Sequence, residues 1–300
     1  MPPATDTGLP RLDSEVRAAL NLRRNGPGLG RAAIHFGSIL ASAAGIAAGV
    51  PFWPLLIPVQ GVLIAFLFTL EHEATHATPF QSDWLNTWAG HICGALNLLP
   101  FIWFRYFHLA HHRYTNLPGQ DPELESPKPG SWLAWAWHVS GLPFWAGNIA
   151  LLARLLRGRE RPGYLPERAR PRAEREARVL VVLYLVAGLS LVVSPLLFWV
   201  WILPALVGQP ALRVYLLAEH GDCPQIANVL QNTRTTFTTR LVRLIAWNMP
   251  YHIEHHAFPN VPFHALPRLH GHMRAALGVT APGYLAFTRR YLARRPWRAS

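Results

Sequence analysis

Long uncharged stretches alternate along this chain with short polar and arginine-rich segments. Residues 32–50 and 52–70 each offer about 20 mostly apolar positions, enough to cross hydrocarbon as a helix, and Pro51 and Pro54 mark the turn between them. A second uncharged run, Val179 to Leu212, is too long for one span. Ser194-Pro195 and Gly208-Gln209-Pro210 interrupt it as a hairpin with a broken second arm would. The pattern therefore predicts four spans in two hairpins, at about 32–50, 52–70, 178–193 and 196–217, behind a polar arm (1–31) and before a basic tail (276–300). Two more apolar stretches, 88–104 and 132–153, are rich in Trp and contain Gly and Pro, which suits interfacial or re-entrant segments. If both crossed the membrane, the histidines between them would face the opposite side from those at 72–76 and 252–256.

Composition supports a bilayer. Hydrophobic residues make up 51% of the chain and charged residues 15%, against roughly a quarter charged in soluble domains. Residues 154–178 hold nine arginines, while the predicted hairpin turns, Gly49–Trp53 and Val193–Leu197, hold no charge. The positive-inside rule then places both termini and the central loop in the cytoplasm. The net charge of +12 reads as loops held against anionic lipid, because no nucleic-acid module signature accompanies it. The Arg/Glu/Pro-rich stretch 157–177 reads as a solvated connector. Cys93 and Cys223 belong to no metal-ligand spacing. The N-terminal segment lacks the order of a signal peptide and is expected to stay where it is made.

The candidate chemistry lies in three histidine clusters. His72-Glu-Ala-Thr-His76 follows the second span and is expected to continue its helix, with both rings on one face. His108-Leu-Ala-His111-His112 and His252-Ile-Glu-His255-His256 repeat one HxxHH pattern, whose i, i+3 and i+4 positions also share a face. With histidine at 15 of 300 positions, roughly 0.04 HxxHH matches are expected by chance. Dense imidazole at the ends of membrane helices implies metal, and eight or nine histidines exceed the three or four ligands of one zinc site. The HExxH of zinc proteases would instead make Glu73 a general base, but it leaves six clustered histidines unexplained. His220 closes the fourth span as HEATH closes the second, so position makes it a ninth ligand. Glu73, Glu219, Glu254, Asp121, Asp222 and Asn248 are the nearby groups able to accept a ring N–H and orient a ligating imidazole. His35, His91, His138, His264, His270 and His272 lie outside the boxes; the last three read as surface or packing groups.

At these residues the sequence resembles the membrane fatty-acid desaturase and hydroxylase superfamily, whose signature is an HxxxH box followed by two HxxHH boxes. The flanks HHRYTNLPGQDPE and WNMPYHIEHHAFPNVPFHALPRLH look like its bacterial members, and the resemblance covers about residues 60–275. It implies an all-α integral membrane protein, four membrane helices under a cytosolic helical cap that holds two irons, the box histidines and His220 being the ligands by position. In the acyl-CoA desaturases an Asn four residues before the isolated histidine also ligates iron; this chain has Leu216 there. The Glu-His-Gly around His220 looks more like an element of the alkane hydroxylases.

The resemblance implies O₂-dependent oxidation of an unactivated C–H bond in a lipid or fatty-acyl chain, first of all desaturation, with hydroxylase or ketolase chemistry at the same site as the alternative. A non-enzymatic histidine-rich metal-binding protein or transporter is the third reading. It would place its ligands within the spans, whereas the boxes lie beyond their ends. Electrons must come from an external ferredoxin, rubredoxin or cytochrome, since the chain has no flavin or dinucleotide fingerprint and no HPGG haem motif.

Overall fold

The computed structural model describes residues 8–298; the first seven residues of the predicted N-terminal arm and the last two of the basic tail lie outside the described residues. Helices α1 (Ser14–Leu20) and α2 (Asn25–Ala47) lead into the first hairpin. Gly49 and Phe52, both with left-handed φ, and the 3₁₀ turn Trp53–Leu55 reverse the chain. Helix α3 (Leu56–Thr75) then returns. It is apolar on all sides and mostly buried, as a central helix must be. The helix does not stop at 70: it runs on to Thr75, carrying His72 on its last turn with His76 as its C-cap.

The apolar stretch 88–104 is split between α4 (Asp83–Asn97) and α5 (Phe101–Tyr114), with left-handed Leu98 and then Pro100 ending the first and starting the second. The stretch 132–153 is likewise broken, into α6 (Trp132–Val139) and α7 (Leu142–Leu156), which meet at 57° about Gly141. Neither stretch is one straight crossing helix. Helix α8 (Arg170–Ser190) begins inside the segment expected to be a solvated connector, and there the structure corrects the sequence reading. Ala173, Glu176 and Ala177 are buried. The reason is Glu176, whose carboxylate accepts the backbone N–H groups of Phe101 (3.1 Å) and Ile102 (2.8 Å) and pairs with His91. These are first-turn donors of α5 that have no partner within their own helix.

A π turn, Phe198–Ile202, precedes α9 (Leu203–His220), which contains Pro210. Among the described residues three helical segments, Ser14–Ala47, Trp53–Thr75 and Phe198–His220, are long and apolar enough to cross a membrane, and the bent α6–α7 pair would be a fourth if it counts as one span. Helix α8 is apolar only in its second half, where Leu185, Leu189 and the following Val193 are 62%, 69% and 90% exposed. Apolar surface this continuous needs lipid to cover it. The rest of the chain, α10 (Val229–Asn232), β1 (Thr235–Thr236), α11 (Arg240–Ile245), α12 (His252–Ala257), α13 (Leu266–Met273), β2 (Thr280–Ala281) and α14 (Tyr284–Ala293), packs at the His220 end of α9. The two strands form a parallel pair, Thr235 opposite Thr280.

Helices α3 and α9 cross in backbone contact. A Cβ on Gly61 would lie 2.3 Å from the carbonyl oxygen of Pro204, and one on Gly208 would lie 2.0 Å from that of Gly61. From this crossing His72 and His220 are eleven and twelve residues on, about 16–18 Å at the helical rise. The glycine pair thus brings both histidines to one level. Gly208→Ala should lower the thermal unfolding midpoint of the purified protein, since overpacking costs about 1–3 kcal/mol. Gly37→Ala, which meets open space, should leave it in place; equal midpoints for the two variants would show that the crossing tolerates a methyl group.

Candidate metal centre

Each histidine cluster sits where a helix ends or begins beside a left-handed residue. Ala77 (φ 56°) follows His76, Asn116 (φ 59°) follows the second box, Asp222 (φ 56°) follows His220, and Trp247 and Asn248 precede the third box. Such conformations are uncommon in non-glycine residues and gather at functional sites. Here they turn the chain away as soon as the rings have been delivered. All nine predicted histidines are brought together; seven are buried, while His76 and His112 are partly exposed.

The ring nitrogens form two adjoining groups. In one, donor nitrogens of His72, His108, His112 and His255 lie within 4.8 Å of one another. His76 Nε2 joins that group, 3.0 Å from His108 Nε2. In the other, His111, His220 and His256 converge, and His252 Nε2 lies 3.1 Å from the Nε2 atoms of both His220 and His256. The rings of His112 and His256 stack across the boundary at 4.0 Å.

The partners on the far sides of the rings decide which nitrogen carries hydrogen. His220 Nδ1 faces the Asn232 carbonyl at 3.1 Å, which can only accept. His111 Nδ1 faces both Asp121 carboxylate oxygens at 2.9 and 3.0 Å, and Glu123 Oε2 at 3.1 Å. His256 Nδ1 faces Thr115 Oγ1, whose own hydrogen goes to the His111 carbonyl. Neutral rings at all three positions therefore turn Nε2 lone pairs toward one another. His111 Nε2 and His220 Nε2 are only 3.2 Å apart. Two lone pairs at that separation repel unless a cation lies between them, and bond lengths of about 2.0–2.1 Å to a common metal would give spacings of roughly 3 Å. The donor set fits metal.

Carboxylates stand behind other rings as well. Glu73 Oε1 is 3.4 Å from His255 Nδ1, its other oxygen being held by Thr78 and by the Phe263 N–H. Glu219 Oε1 is 3.5 Å from His252 Nδ1. Glu254 lies elsewhere, on His270 and Thr235, and Asn248 donates to the Phe263 carbonyl. Asp222 pairs with Arg295. Glu123 was not singled out from the sequence, although its place two residues after Asp121 in a tight turn was a usable signal. Of the histidines outside the boxes, His35 bonds the Leu63 carbonyl and Trp247, and His91 bonds Glu176.

Burial and neighbouring rings hold His108, His112, His252, His255 and His256 well below the usual imidazole range, and burial pushes His76 down to about 3. Neutral imidazole is the ligating form. His111 alone goes up: burial opposes charge there, but Glu123 and Asp121 outweigh it. Glu123 in turn is held at about 2, against burial, chiefly by His111 and His220.

A family model described as fatty acid desaturase matches residues 48–288. Similar proteins include an endoplasmic-reticulum omega-3 fatty acid desaturase from Vigna radiata, 40% identical over 62 residues, covering 21% of this chain and 16% of that protein. An sn-1 acyl-lipid omega-3 desaturase (ferredoxin) from Synechocystis sp. is 24% identical over 254 residues, 76% of this chain and 68% of that protein. A fatty acid conjugase from Calendula officinalis is 24% identical over 245 residues, 71% and 65% of the two chains. The chain thus spans a small part of the first relative and about two thirds of the other two.

The depressed histidines make a pH prediction. An unfolded imidazole takes up its proton near 6.5, whereas folded His76 does so only near 3. Between those values the unfolded chain binds more protons, so stability falls as pH falls. Metal-free protein should lose thermal stability steadily from pH 6.5 to pH 4 and change little between pH 7 and 8. A flat profile across the acidic window would contradict the neutral-ring assignment.

Proposed function

Because this chain belongs to the fatty acid desaturase family, we propose that its nine converging histidines hold two irons and that it oxidises the acyl chain of a lipid, introducing a double bond. The observation that carries the reading is the convergence of nine histidines in two adjoining groups, more donors than one metal takes. His72, His76, His108, His112 and His255 would ligate one, and His111, His220, His252 and His256 the other. When bound, the irons supply the O₂-dependent removal of hydrogen from an unactivated C–H bond, chemistry beyond any side chain.

The protein's own groups set the conditions. Glu73 and Glu219 lie 3.4 and 3.5 Å from the Nδ1 atoms of His255 and His252 without hydrogen-bonding them, whereas Asp121 and Glu123 hold the His111 ring and the Asn232 carbonyl holds His220. Such partners fix tautomer and orientation and raise ligand basicity. Glu123 also supplies negative charge that would offset the cations. Burial keeps water from the site and so protects a reactive oxidant from quenching. In the balance, one CH₂–CH₂ unit, O₂, two electrons and two protons give one alkene and two waters. The two electrons require an external donor of ferredoxin, rubredoxin or cytochrome type; the name of the Synechocystis relative favours ferredoxin. The arginine-rich segment 154–178 favours a cytoplasmic site and cytoplasmic termini.

The test is expression with iron and a ferredoxin system, followed by metal analysis and lipid mass spectrometry. About two irons per chain and products lighter by two mass units are expected; a gain of sixteen would make the enzyme a hydroxylase. One zinc and no iron would overturn the proposal. His111→Ala and His255→Ala should each abolish turnover while leaving membrane insertion intact. Asp121→Asn should weaken iron retention by roughly 10- to 100-fold, as the loss of a ligand's hydrogen-bond partner does elsewhere, and undiminished retention would remove Asp121 from that role.

A further inference from the structure

Residues 284–298 hold five arginines and no acidic residue. The first ten form α14, whose inner face packs on the histidine end of α9. The Tyr284 ring lies 5.0 Å from that of Tyr215, and a Cβ at Gly221 would lie 2.9 Å from Phe287 Cζ. Helix α14 thus starts two residues past Arg213, the first charge on α9, and climbs alongside α9 toward Asp222. Its outer face carries Arg289, Arg290 and Arg294, and Arg298 follows; all four are exposed. Arg295 pairs with Asp222 at 2.5 Å and Arg294 reaches the same carboxylate at 4.0 Å. Among the described residues no ion pair engages Arg289, Arg290 or Arg298.

The end of the chain is fastened to α6. The N–H groups of Trp132 and Leu133 donate to the carbonyls of Pro296 and Trp297 at 3.0 and 3.3 Å, and Trp132 Nε1 donates to that of Leu292 at 3.1 Å. The Trp132 and Trp297 rings lie 6.1 Å apart, yet the seam does not bury them. Trp132 is 39%, Trp137 59% and Trp297 63% exposed. With Leu133 and Ala136, the two α6 tryptophans make one exposed apolar face, which runs on through Leu142 and Ile149 into the outer surface of α7. His138 lies against Arg213 and Gly141 against Gln209, one turn earlier on α9. Helix α6 therefore runs inward, and its first residue, Trp132, stands about 9 Å outside the level of Arg213. Indole at headgroup height with arginine beside it is the composition of a membrane–water interface facing anionic lipid. A docking face for an acidic protein would share the arginines but would have no reason to continue into the apolar flank of α7.

We propose that α6 and the C-terminal segment form an interfacial anchor, in which Trp132, Trp137 and Trp297 lie among the headgroups and Arg289, Arg290 and Arg298 bind the phosphates of anionic phospholipid. The anchor is independent of the oxidation chemistry and needs only the membrane reading of the chain. Through the Arg295–Asp222 pair, two residues from His220, it would hold the histidine end of α9 at a fixed height over the bilayer. The test places an environment-sensitive fluorophore at Ala293→Cys, an exposed position between Arg290 and Trp297; Cys93 and Cys223 are buried and should not label. The full-length protein is assembled into nanodiscs of dioleoylphosphatidylcholine or of its equimolar mixture with dioleoylphosphatidylglycerol. In the mixed discs a nitroxide on the lipid headgroup should quench the fluorophore and aqueous iodide should not; in phosphatidylcholine alone iodide should reach it. The triple variant Arg289→Gln, Arg290→Gln, Arg298→Gln should admit iodide in both. It should also lose about fivefold or more of the wild-type preference for spin-labelled phosphatidylglycerol over phosphatidylcholine, the weight of a single surface arginine. Equal iodide access in the two lipids, or an unchanged lipid preference in the variant, would overturn the proposal. Iodide access in the mixed discs that is relieved only by adding an acidic ferredoxin would overturn it too and give the face to a protein.

Discussion

Nine imidazoles packed into a dry space repel one another unless positive charge sits among their lone pairs, and much of the surrounding architecture answers that constraint. Asp121 and Glu123 stand behind His111 and the Asn232 carbonyl behind His220, so that hydrogen is kept on the outer nitrogen of these two rings and the lone pair points inward. The helices bearing the first two boxes and His220 stop within a few residues at left-handed positions, and two left-handed residues precede the third box. Such backbone is costly for Ala77, Asn116 and Asp222, and it persists here because each box must end at the same depth.

That common depth depends on two glycines far from the chemistry. Gly61 and Gly208 let α3 and α9 touch through their backbones, and helical rise then carries His72 and His220 to the same level. The second box needs a different support, because α5 is not a spanning helix. Glu176, from the start of α8, caps α5 and so ties the position of His108, His111 and His112 to the second hairpin. Charge placed in what looks like a polar connector thereby supports the histidine cluster.

The α6–α7 pair bends by 57° about Gly141, and the polar side chains Gln209 and Arg213 of α9 pack against that bend.

The sequence by itself determined the boxes, the faces they present and the apolar courses of α2, α3 and α9, because helical periodicity is local: i, i+3 and i+4 share a side wherever the helix lies. It also pointed to His220, by its place at the end of a span. What only the tertiary structure decided are the partners. Asp121 and Glu123 turn toward His111, whereas Glu254, inside the third box, turns to His270. Arg213 could be read as an ionisable group in the fourth span, but its company of His138, Trp145 and Gln209 comes from a break some seventy residues earlier. Contacts of that kind arise from how helices cross and where they bend, and no short-range pattern of residues encodes them.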